Sequence, residues 1–218
     1  MNFYSLFEAV SHVDDTGFPL TSFKELYHVG AFDISQRQTH NYEGDGLSVS
    51  TEPEAWIRIN RGGTSGDTWR LTKSGNKFLD WHEMTDAHHA VINEWAVDNG
   101  YAESSTVYHV TWFDDEADEE RFSEFSTLSA AEEFADEDET EDPYYKVSKH
   151  ENEITATTKL EKRMGAKTGQ LFSVAYVEDV LDLDGVYWYD LLDVANLSAP
   201  RGVIVPSKVD SWKREKRV

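Results

Sequence analysis

Two short stretches of this chain carry side chains that could bind a polar, planar ligand. The first, residues 26–30, reads LYHVG and places an imidazole, His28, between apolar neighbours in a predicted strand. The second, Gly44–Trp56, reads GDGLSVSTEPEAW and predicts a strand with two hydroxyl groups, those of Ser48 and Ser50. Such hydroxyls can receive a carboxamide, and the closing Trp offers a large, rigid face for a planar cationic ring.

A turn from strand to helix within Gly44–Trp56 would hold these groups in place. Thr51 can cap the first helical turn and Pro53 suits an early helical position. Glu52 and Glu54 favour the positive end of the helix dipole. A strand that turns directly into a capped helix often lines a cleft, so we expect a cleft here. A structural role for His28 stays open, because a lone histidine in an apolar strand is more often a buried core residue than a catalytic one.

Other common chemistries are poorly supported by the sequence. His82, Glu83, Asp86, His88 and His89 lie within eight residues, but the second histidine of an HExxH motif would fall at position 86, which is Asp. We therefore interpret this segment as a solvated helix start rather than a metal site. No G-x-S-x-G nucleophile elbow and no phosphate-binding loop ending in Gly-Lys-Ser/Thr is present.

The composition restricts the class of protein. The 218 residues suffice for one good-sized domain or two small ones, and 39% hydrophobic content with seven Trp supports a core. The absence of cysteine excludes disulfides, thiolate metal sites and cysteine nucleophiles. No apolar run is long enough for a membrane span and no leader is evident. We expect a soluble cytoplasmic protein that does not associate with membranes.

The negative charge is concentrated in one segment. Of a net charge of −22, residues 114–142 contribute −14, from 15 acidic side chains and one Arg. The last eleven residues are basic, with Lys208, Lys213, Arg214, Lys216 and Arg217 against Asp210 and Glu215. An acidic body is repelled by nucleic-acid phosphates, so a protein partner is favoured. The acidic segment could equally serve solubility alone.

The order of predicted elements indicates an α+β fold with an inserted module. Residues 1–103 and 164–218 form the body, in which a helix over 1–13, a helix over Thr85–Asn99 and a strand over Gln170–Val177 are expected. Residues 104–163 predict a small acidic ββαββ module. Its last two strands are expected at Pro143–Val147 and Glu153–Leu160. Mixed and antiparallel sheets suit this pattern.

The two stretches together resemble the ADP-ribosyltransferase superfamily, and particularly its His–Tyr–Glu branch of poly-ADP-ribose polymerases and RNA 2′-phosphotransferases. There, one strand reads Leu-Tyr-His-Gly-Thr or similar, which residues 26–30 match except for Val29. A second strand reads Gly-x-Tyr-Phe-Ser/Ala, which Gly46–Ser50 matches with Ser48 in the Tyr position. The resemblance covers about 45 residues. It implies a split-sheet fold with NAD as cofactor.

The resemblance also implies roles for individual residues. It makes His28 the residue that hydrogen-bonds a ribose of NAD, and Trp56 the ring that stacks on nicotinamide. The family places a Glu at the start of a late strand, and here the late strands lack one. The nearest acids are Glu178, Asp184 and Asp190, and of these we select Asp184. The implied catalytic residues are His28 and Asp184, and the implied cofactor-binding residues are Tyr27, His28, Gly30, Gly46, Ser48, Ser50 and Trp56.

Two functional hypotheses follow. In the first, the protein binds NAD and transfers ADP-ribose to a macromolecular acceptor, with protein favoured over nucleic acid. In the second, it is an acidic binding or inhibitor protein, a polyanion or DNA mimic, whose 114–142 segment docks on a basic protein partner. The first hypothesis requires His28 and Ser48 to face each other across adjacent strands, with Trp56 at the wall of the cleft.

Overall fold

The chain is of the α+β class, with several mixed and antiparallel sheets and few helices. A computed structural model describes residues 12–13, 17–33, 43–54, 67–114, 119–137, 145–188 and 201–217. Within them the strands are β1 (His12–Val13), β2 (Pro19–Thr21), β3 (Leu26–Val29), β4 (Leu47–Val49), β5 (Thr68–Thr72), β6 (Phe78–Asp80), β7 (Ala102–Asp114), β8 (Glu119–Phe125), β9 (Lys146–Ala156), β10 (Gly185–Trp188), β11 (Arg201–Ile204) and β12 (Lys213–Arg217). The α-helices are α1 (Asp86–Asp98), α2 (Leu128–Glu137), α3 (Thr158–Met164) and α4 (Gln170–Tyr176).

The chain divides into two compact units. The first comprises Met1–Ala102 and Ala156–Val218, and the second comprises Glu103–Thr155. The expected module ran from 104 to 163, whereas helix α3 belongs to the first unit. Among the described residues, no helix has both the length and the apolar character needed to cross a membrane.

Two sheets build the first unit. The larger has the strand order β1-β2-β6-β10-β11-β4, in which β6 and β10 run parallel and the other neighbours run antiparallel. The smaller has the order β12-β5-β3 and is antiparallel throughout. The basic residues near the end of the chain form strand β12, in which Lys213–Arg217 pairs with Thr68–Thr72 in register.

One hydrophobic core cluster joins these two sheets. Both sheets contribute fully buried residues to it. Leu26 on β3 and Leu71 on β5 come from the smaller sheet, and Tyr187 on β10 and Ile204 on β11 come from the larger sheet. Trp212, next to β12, closes the cluster at 4% exposure. Burial of such side chains contributes about 1.5–3 kcal/mol each, so the alternating apolar residues of the short strands suffice to hold the sheets together.

Helix α1 confirms the helix predicted over Thr85–Asn99. Thr85 precedes its first turn, and the Thr85 main-chain N–H donates to Nδ1 of His88 at 3.0 Å. The other ring nitrogen of His88 therefore carries the proton and donates to the Gly17 carbonyl at 3.1 Å. His88 is a capping residue. The described residues hold no group of three His, Asp or Glu side chains placed to bind a metal ion.

The strand predicted over Gln170–Val177 is wrong, because this segment forms helix α4. It continues into a π-helical turn over Val177–Leu181. Every residue from Leu171 to Val177 is buried. A helix that is apolar all round shows no 3.6-residue periodicity, so its sequence cannot be distinguished from that of a buried strand. The helix predicted over 1–13 lies outside the described residues except for His12 and Val13, which form β1.

The second unit is a three-stranded antiparallel sheet with one helix. Its strand order is β8-β7-β9, and helix α2 follows β8 in the chain. The two closing strands expected at Pro143–Val147 and Glu153–Leu160 are instead one strand, β9, and the chain then turns into α3. The unit is therefore ββαβ. Thr157 precedes α3 in an extended conformation and Gly165 ends it with a φ of 75°.

Candidate functional site

The two stretches that carry the candidate residues lie side by side. Tyr27 and Ser50 exchange both main-chain hydrogen bonds, with N–H to oxygen distances of 2.8 and 2.9 Å. This antiparallel bridge lies outside the regular ladders and joins β3 of the small sheet to the end of β4 in the large sheet. The candidate site is thus at the junction of the two sheets.

His28 lies at this junction with 5% of its surface exposed. Its Nδ1 is 2.8 Å from the carbonyl oxygen of Ser48, and its Nε2 is 3.0 Å from the carbonyl oxygen of Ala31. A neutral imidazole can donate only one of these bonds, whereas the protonated ring can donate both. The ring is therefore held in one orientation by the main chain, and a ligand hydroxyl at either nitrogen has to replace a carbonyl.

Gly30, which follows strand β3, is held by hydrogen bonds at both its N–H and its carbonyl. Its φ of +129° is one that side-chain-bearing residues rarely adopt. Its N–H donates to the Asp67 carbonyl at 3.0 Å, and its carbonyl accepts from Trp69 Nε1 at 3.2 Å. Gly30 thereby positions an aromatic side chain beside His28, since Trp69 is the register partner of His28 on β5.

Ser48 connects His28 to a carboxylate that the sequence did not single out. Its hydroxyl donates to Oε1 of Glu43 at 3.1 Å. Glu43 is 3% exposed, and its other oxygen is buried with no hydrogen-bond partner in the described part of the chain. A buried carboxylate oxygen without a hydrogen-bond partner costs folding free energy, and packing does not explain why a carboxylate stands here. Glu43 is therefore a candidate for a chemical role. It lies in a turn, where periodicity gives no signal.

Gly46 and Ser50 have structural roles at the two ends of strand β4. A Cβ at Gly46 would lie 2.1 Å from Cγ2 of Val203, so this glycine allows close packing on β11. Ser50 is fully buried, and its Oγ accepts the Glu52 N–H at 2.9 Å. The helix expected to be capped by Thr51 lies largely outside the described residues, and the Glu52 N–H before it is bonded by Ser50. The Thr51 hydroxyl bonds the phenolic oxygen of Tyr187 at 2.9 Å instead.

Tyr27 presents its ring away from His28, as adjacent residues of a strand do. Its hydroxyl donates to Glu25 at 2.7 Å, and the guanidinium of Arg217 lies 5.5 Å from its ring centre. The bond to Glu25 raises the pKa of the Tyr27 phenol. The main chain of Tyr27 belongs to the junction, whereas its ring does not. Trp56, the expected stacking residue, lies outside the described residues.

Asp184 is buried at the start of β10 and is held by another loop. One carboxylate oxygen is 2.5 Å from Nζ of Lys73, and the other accepts the Lys77 N–H at 3.0 Å. Its main-chain N–H also donates to the Lys77 carbonyl at 2.8 Å. Both oxygens are thus engaged with the β5–β6 connection. No described contact of Asp184 reaches His28 or Ser48.

A cavity of about 590 Å³ is lined by two neighbours of His28, Phe32 and Trp69, whereas His28 itself does not line it. Its wall includes Phe32, whose ring meets the His28 ring edge-on at 5.7 Å and the Trp69 ring at 5.9 Å. The guanidinium of Arg214 lies 4.5 Å from the centre of the Phe32 ring. Three carboxylates also line the space: Asp33, Asp45 and Asp210.

This lining can hold a planar cation. Aromatic faces attract positive charge through their quadrupole, and carboxylates add a direct attraction. Arg214 is in place to meet an anionic group on the same ligand. The sequence did not indicate these residues, because Trp69 lies far along the chain from Asp210 and Arg214, and the basic residues around Arg214 predicted no strand.

No protein-family model, no curated protein and no solved structure matches this chain. The residues at the sheet junction and in the cavity are therefore the basis for any functional assignment.

Proposed function

We propose that the first unit binds NAD and transfers ADP-ribose to a macromolecular acceptor, in the manner of the ADP-ribosyltransferase superfamily. The observation that carries the proposal is the Tyr27–Ser50 main-chain bridge, which sets the His28 stretch beside the Ser48–Ser50 stretch. The two stretches that resemble the family are separated in sequence, and the proposal needs them adjacent. The pair of sheets that meet at the bridge is consistent with the split-sheet fold of this superfamily.

The cavity lined by Phe32 and Trp69 has the chemistry that NAD requires. Nicotinamide in NAD is a planar cation, and Phe32 and Trp69 supply aromatic surface next to carboxylates. Arg214 supplies a positive group for the diphosphate. Both charges of the dinucleotide are thereby matched within one cavity. Its volume of about 590 Å³ lies in the range of small-molecule sites, about 300–1,000 Å³.

The chemical step cleaves the glycosidic bond to nicotinamide and passes through an oxocarbenium-like state. Negative charge fixed near the ribose stabilises that state more than the ground state. Glu43 does not line the cavity, but one of its buried oxygens has no hydrogen-bond partner among the described residues and the other is bonded to Ser48, so we assign this charge to Glu43. Asp184, the carboxylate that the resemblance selects, has to give up Lys73 to supply it.

The acceptor is a protein rather than a nucleic acid in this proposal. The chain has a net charge of −22, and phosphate backbones gain most of their affinity from Lys and Arg. A nucleic-acid acceptor would approach against this field.

Isothermal titration with NAD and chromatographic detection of released nicotinamide test the proposal. We expect binding in the micromolar to millimolar range. His28→Ala should weaken binding about tenfold, a loss of about 1.4 kcal/mol. Asp45→Asn should weaken it because a cavity carboxylate is lost. Tyr27→Phe is the matched control, since its ring points away from His28, and its affinity should stay within about twofold of the unmodified chain.

No binding at millimolar NAD by a folded protein overturns the proposal. Equal affinities for the His28→Ala and Tyr27→Phe proteins also overturn it, because the ligand would then lie elsewhere. Binding without nicotinamide release, tested with protein acceptors present, contradicts the transfer reaction and leaves an NAD-binding protein.

A further inference from the structure

The sheet of the second unit has one covered face and one open face. In the β7–β8 register, Val110 lies opposite Ser123 and Trp112 opposite Arg121, so these residues share a face. Helix α2 packs on that face, where the ring of Phe134 is 5.6 Å from that of Trp112 and Ala131 is fully buried. Val110 is fully buried there as well.

The opposite face exposes two phenylalanines. Phe122 is 64% exposed and Phe113 is 50% exposed, which is unusual for large apolar side chains in a sheet. Phe113 lies opposite Glu120, and Phe122 lies opposite Thr111. The Phe122 ring contacts the His109 ring with centres 5.3 Å apart, and most of the Phe122 surface faces solvent.

Phe122 lies between two carboxylates on the same strand. Glu120 and Glu124 are two residues before and after it, and residues two apart in a strand point to the same face about 7 Å apart. Both glutamates are exposed. We call Glu120, Phe122 and Glu124 the acid–phenylalanine row. Strand β8 is at the edge of its sheet, so a partner can reach the row from the side.

We propose that the acid–phenylalanine row docks an arginine-rich segment of a partner protein. A guanidinium stacks its flat face on an aromatic ring and directs its N–H fork at a carboxylate, which an ammonium group cannot do in the same geometry. The row offers one ring between two carboxylates and therefore matches that pair of requirements.

The negative charge of the second unit favours a positively charged partner. Residues 103–155 contain 18 acidic and three basic side chains, a net charge of −15. A second copy of the chain or an anionic membrane would meet repulsion there, whereas an arginine-rich segment is attracted.

His109 on β7 also lies on the open face and contacts the row, with its ring centre 5.3 Å from that of Phe122. His109 on β7 and His150 on β9 stack with ring centres 4.1 Å apart, and Lys146 on β9 shares the face by alternation with Ser148 and His150. Nε2 of His109 is 3.5 Å from a Glu124 oxygen. Because β7 separates β8 from β9, Lys146 does not compete for the row.

Fluorescence anisotropy with labelled oligoarginine and oligolysine peptides of equal length, titrated with the full chain, tests this proposal. We expect oligoarginine to bind about fivefold or more tightly than oligolysine. The double variant Glu120→Gln/Glu124→Gln should lose most of that affinity. The matched control is Glu132→Gln/Glu133→Gln on α2, which removes the same charge from the covered side of the sheet and should lose about twofold at most.

Phe122→Ala should make the affinities for oligoarginine and oligolysine equal. Leu128→Ala, the control that removes an exposed apolar side chain on α2, should leave the tighter binding of oligoarginine unchanged. Equal affinities for the two peptides, or equal losses in the two double variants, would show that only the overall charge attracts them and would overturn the proposal. Sedimentation that shows a dimer of the unmodified chain but a monomer of Phe122→Ala would assign the face to a second copy instead.

Discussion

Nδ1 of His28 lies 2.8 Å from the carbonyl oxygen of Ser48, and this contact ties strand β3 to strand β4 where the two sheets of the first unit meet. The second ring nitrogen contacts the Ala31 carbonyl at 3.0 Å. The imidazole therefore has a structural function at the same position at which NAD binding is proposed. The two roles can be measured separately, because the structural role is measured as stability without NAD and the binding role as affinity for NAD.

His28→Ala should lower the free energy of unfolding by about 2 kcal/mol, from a lost buried ring and two main-chain carbonyls left without a side-chain contact. Urea denaturation followed by tryptophan fluorescence measures this value. Tyr27→Phe, which loses only a half-exposed hydrogen bond to Glu25, should cost about 1 kcal/mol or less. Equal losses in the two variants would mean that the His28 contacts do not stabilise the junction.

Asp184→Asn should destabilise the first unit by about 2 kcal/mol, since Lys73 loses its charged partner in a mostly buried site. Lys73→Met should cost a similar amount, and the double variant less than the sum of the two, because the pair is one interaction. A double-mutant cycle by denaturation checks this. Strict additivity would show that the two groups do not interact, and the buried Asp184 carboxylate would then be available for chemistry.

The sequence predicted the strands that carry the candidate residues because their apolar residues alternate. Strand β3 ends one residue short of the expected 26–30, and strand β4 lies within the Gly44–Trp56 stretch as expected. Helix α4 was missed because burial on all sides removes periodicity. Strand β12 was missed because all five of its residues, Lys213–Arg217, are exposed and charged, so its pairing with β5 leaves no hydrophobic pattern.

The sequence predicted only part of the candidate site, because some of its residues lie in segments without a recognisable pattern. His28 and Ser50 belong to two stretches with recognisable patterns, and their adjacency could be proposed. Glu43 lies in a turn, and Arg214 reaches the cavity only through the unanticipated strand β12. Long-range contacts of this kind depend on sheet order, which local patterns do not encode.

Asp80→Asn should stabilise the protein at neutral pH. Burial raises the pKa of the Asp80 carboxyl above its ordinary value of 3.8, although main-chain hydrogen bonds from Glu83 and His82 oppose the shift. A raised pKa in the folded state means that stability is gained as the pH falls through that pKa, and that ionised Asp80 costs stability above it. The neutral amide removes this cost.

The difference in unfolding free energy between Asp80→Asn and the unmodified chain should therefore be largest near pH 7. It should shrink as the pH falls toward 3.8. Urea denaturation across this range measures the difference. A difference that is constant with pH would show that ionisation of Asp80 carries no penalty in the folded state.

Gly44→Ala should disrupt the turn that holds Glu43 and Asp45. Gly44 has a φ of +53°, and a Cβ there would lie 2.3 Å from the Met164 carbonyl oxygen. That oxygen already accepts the Asp45 N–H at 2.7 Å, so it cannot move away without breaking the bond that anchors the turn. We expect a loss of about 3 kcal/mol in unfolding free energy and, in the folded fraction, weaker NAD binding.

Gly75→Ala is the control for backbone strain alone. Gly75 has a φ of +68° but no atom within 4 Å of an added Cβ, so the substitution should cost only about 1 kcal/mol and leave NAD affinity unchanged. Thermal denaturation and NAD titration of both variants measure the two effects. Equal costs at Gly44 and Gly75 would show that the Met164 contact does not restrain the turn. The carboxylates of Glu43 and Asp45 would then be held by other contacts, because strain alone would account for both losses.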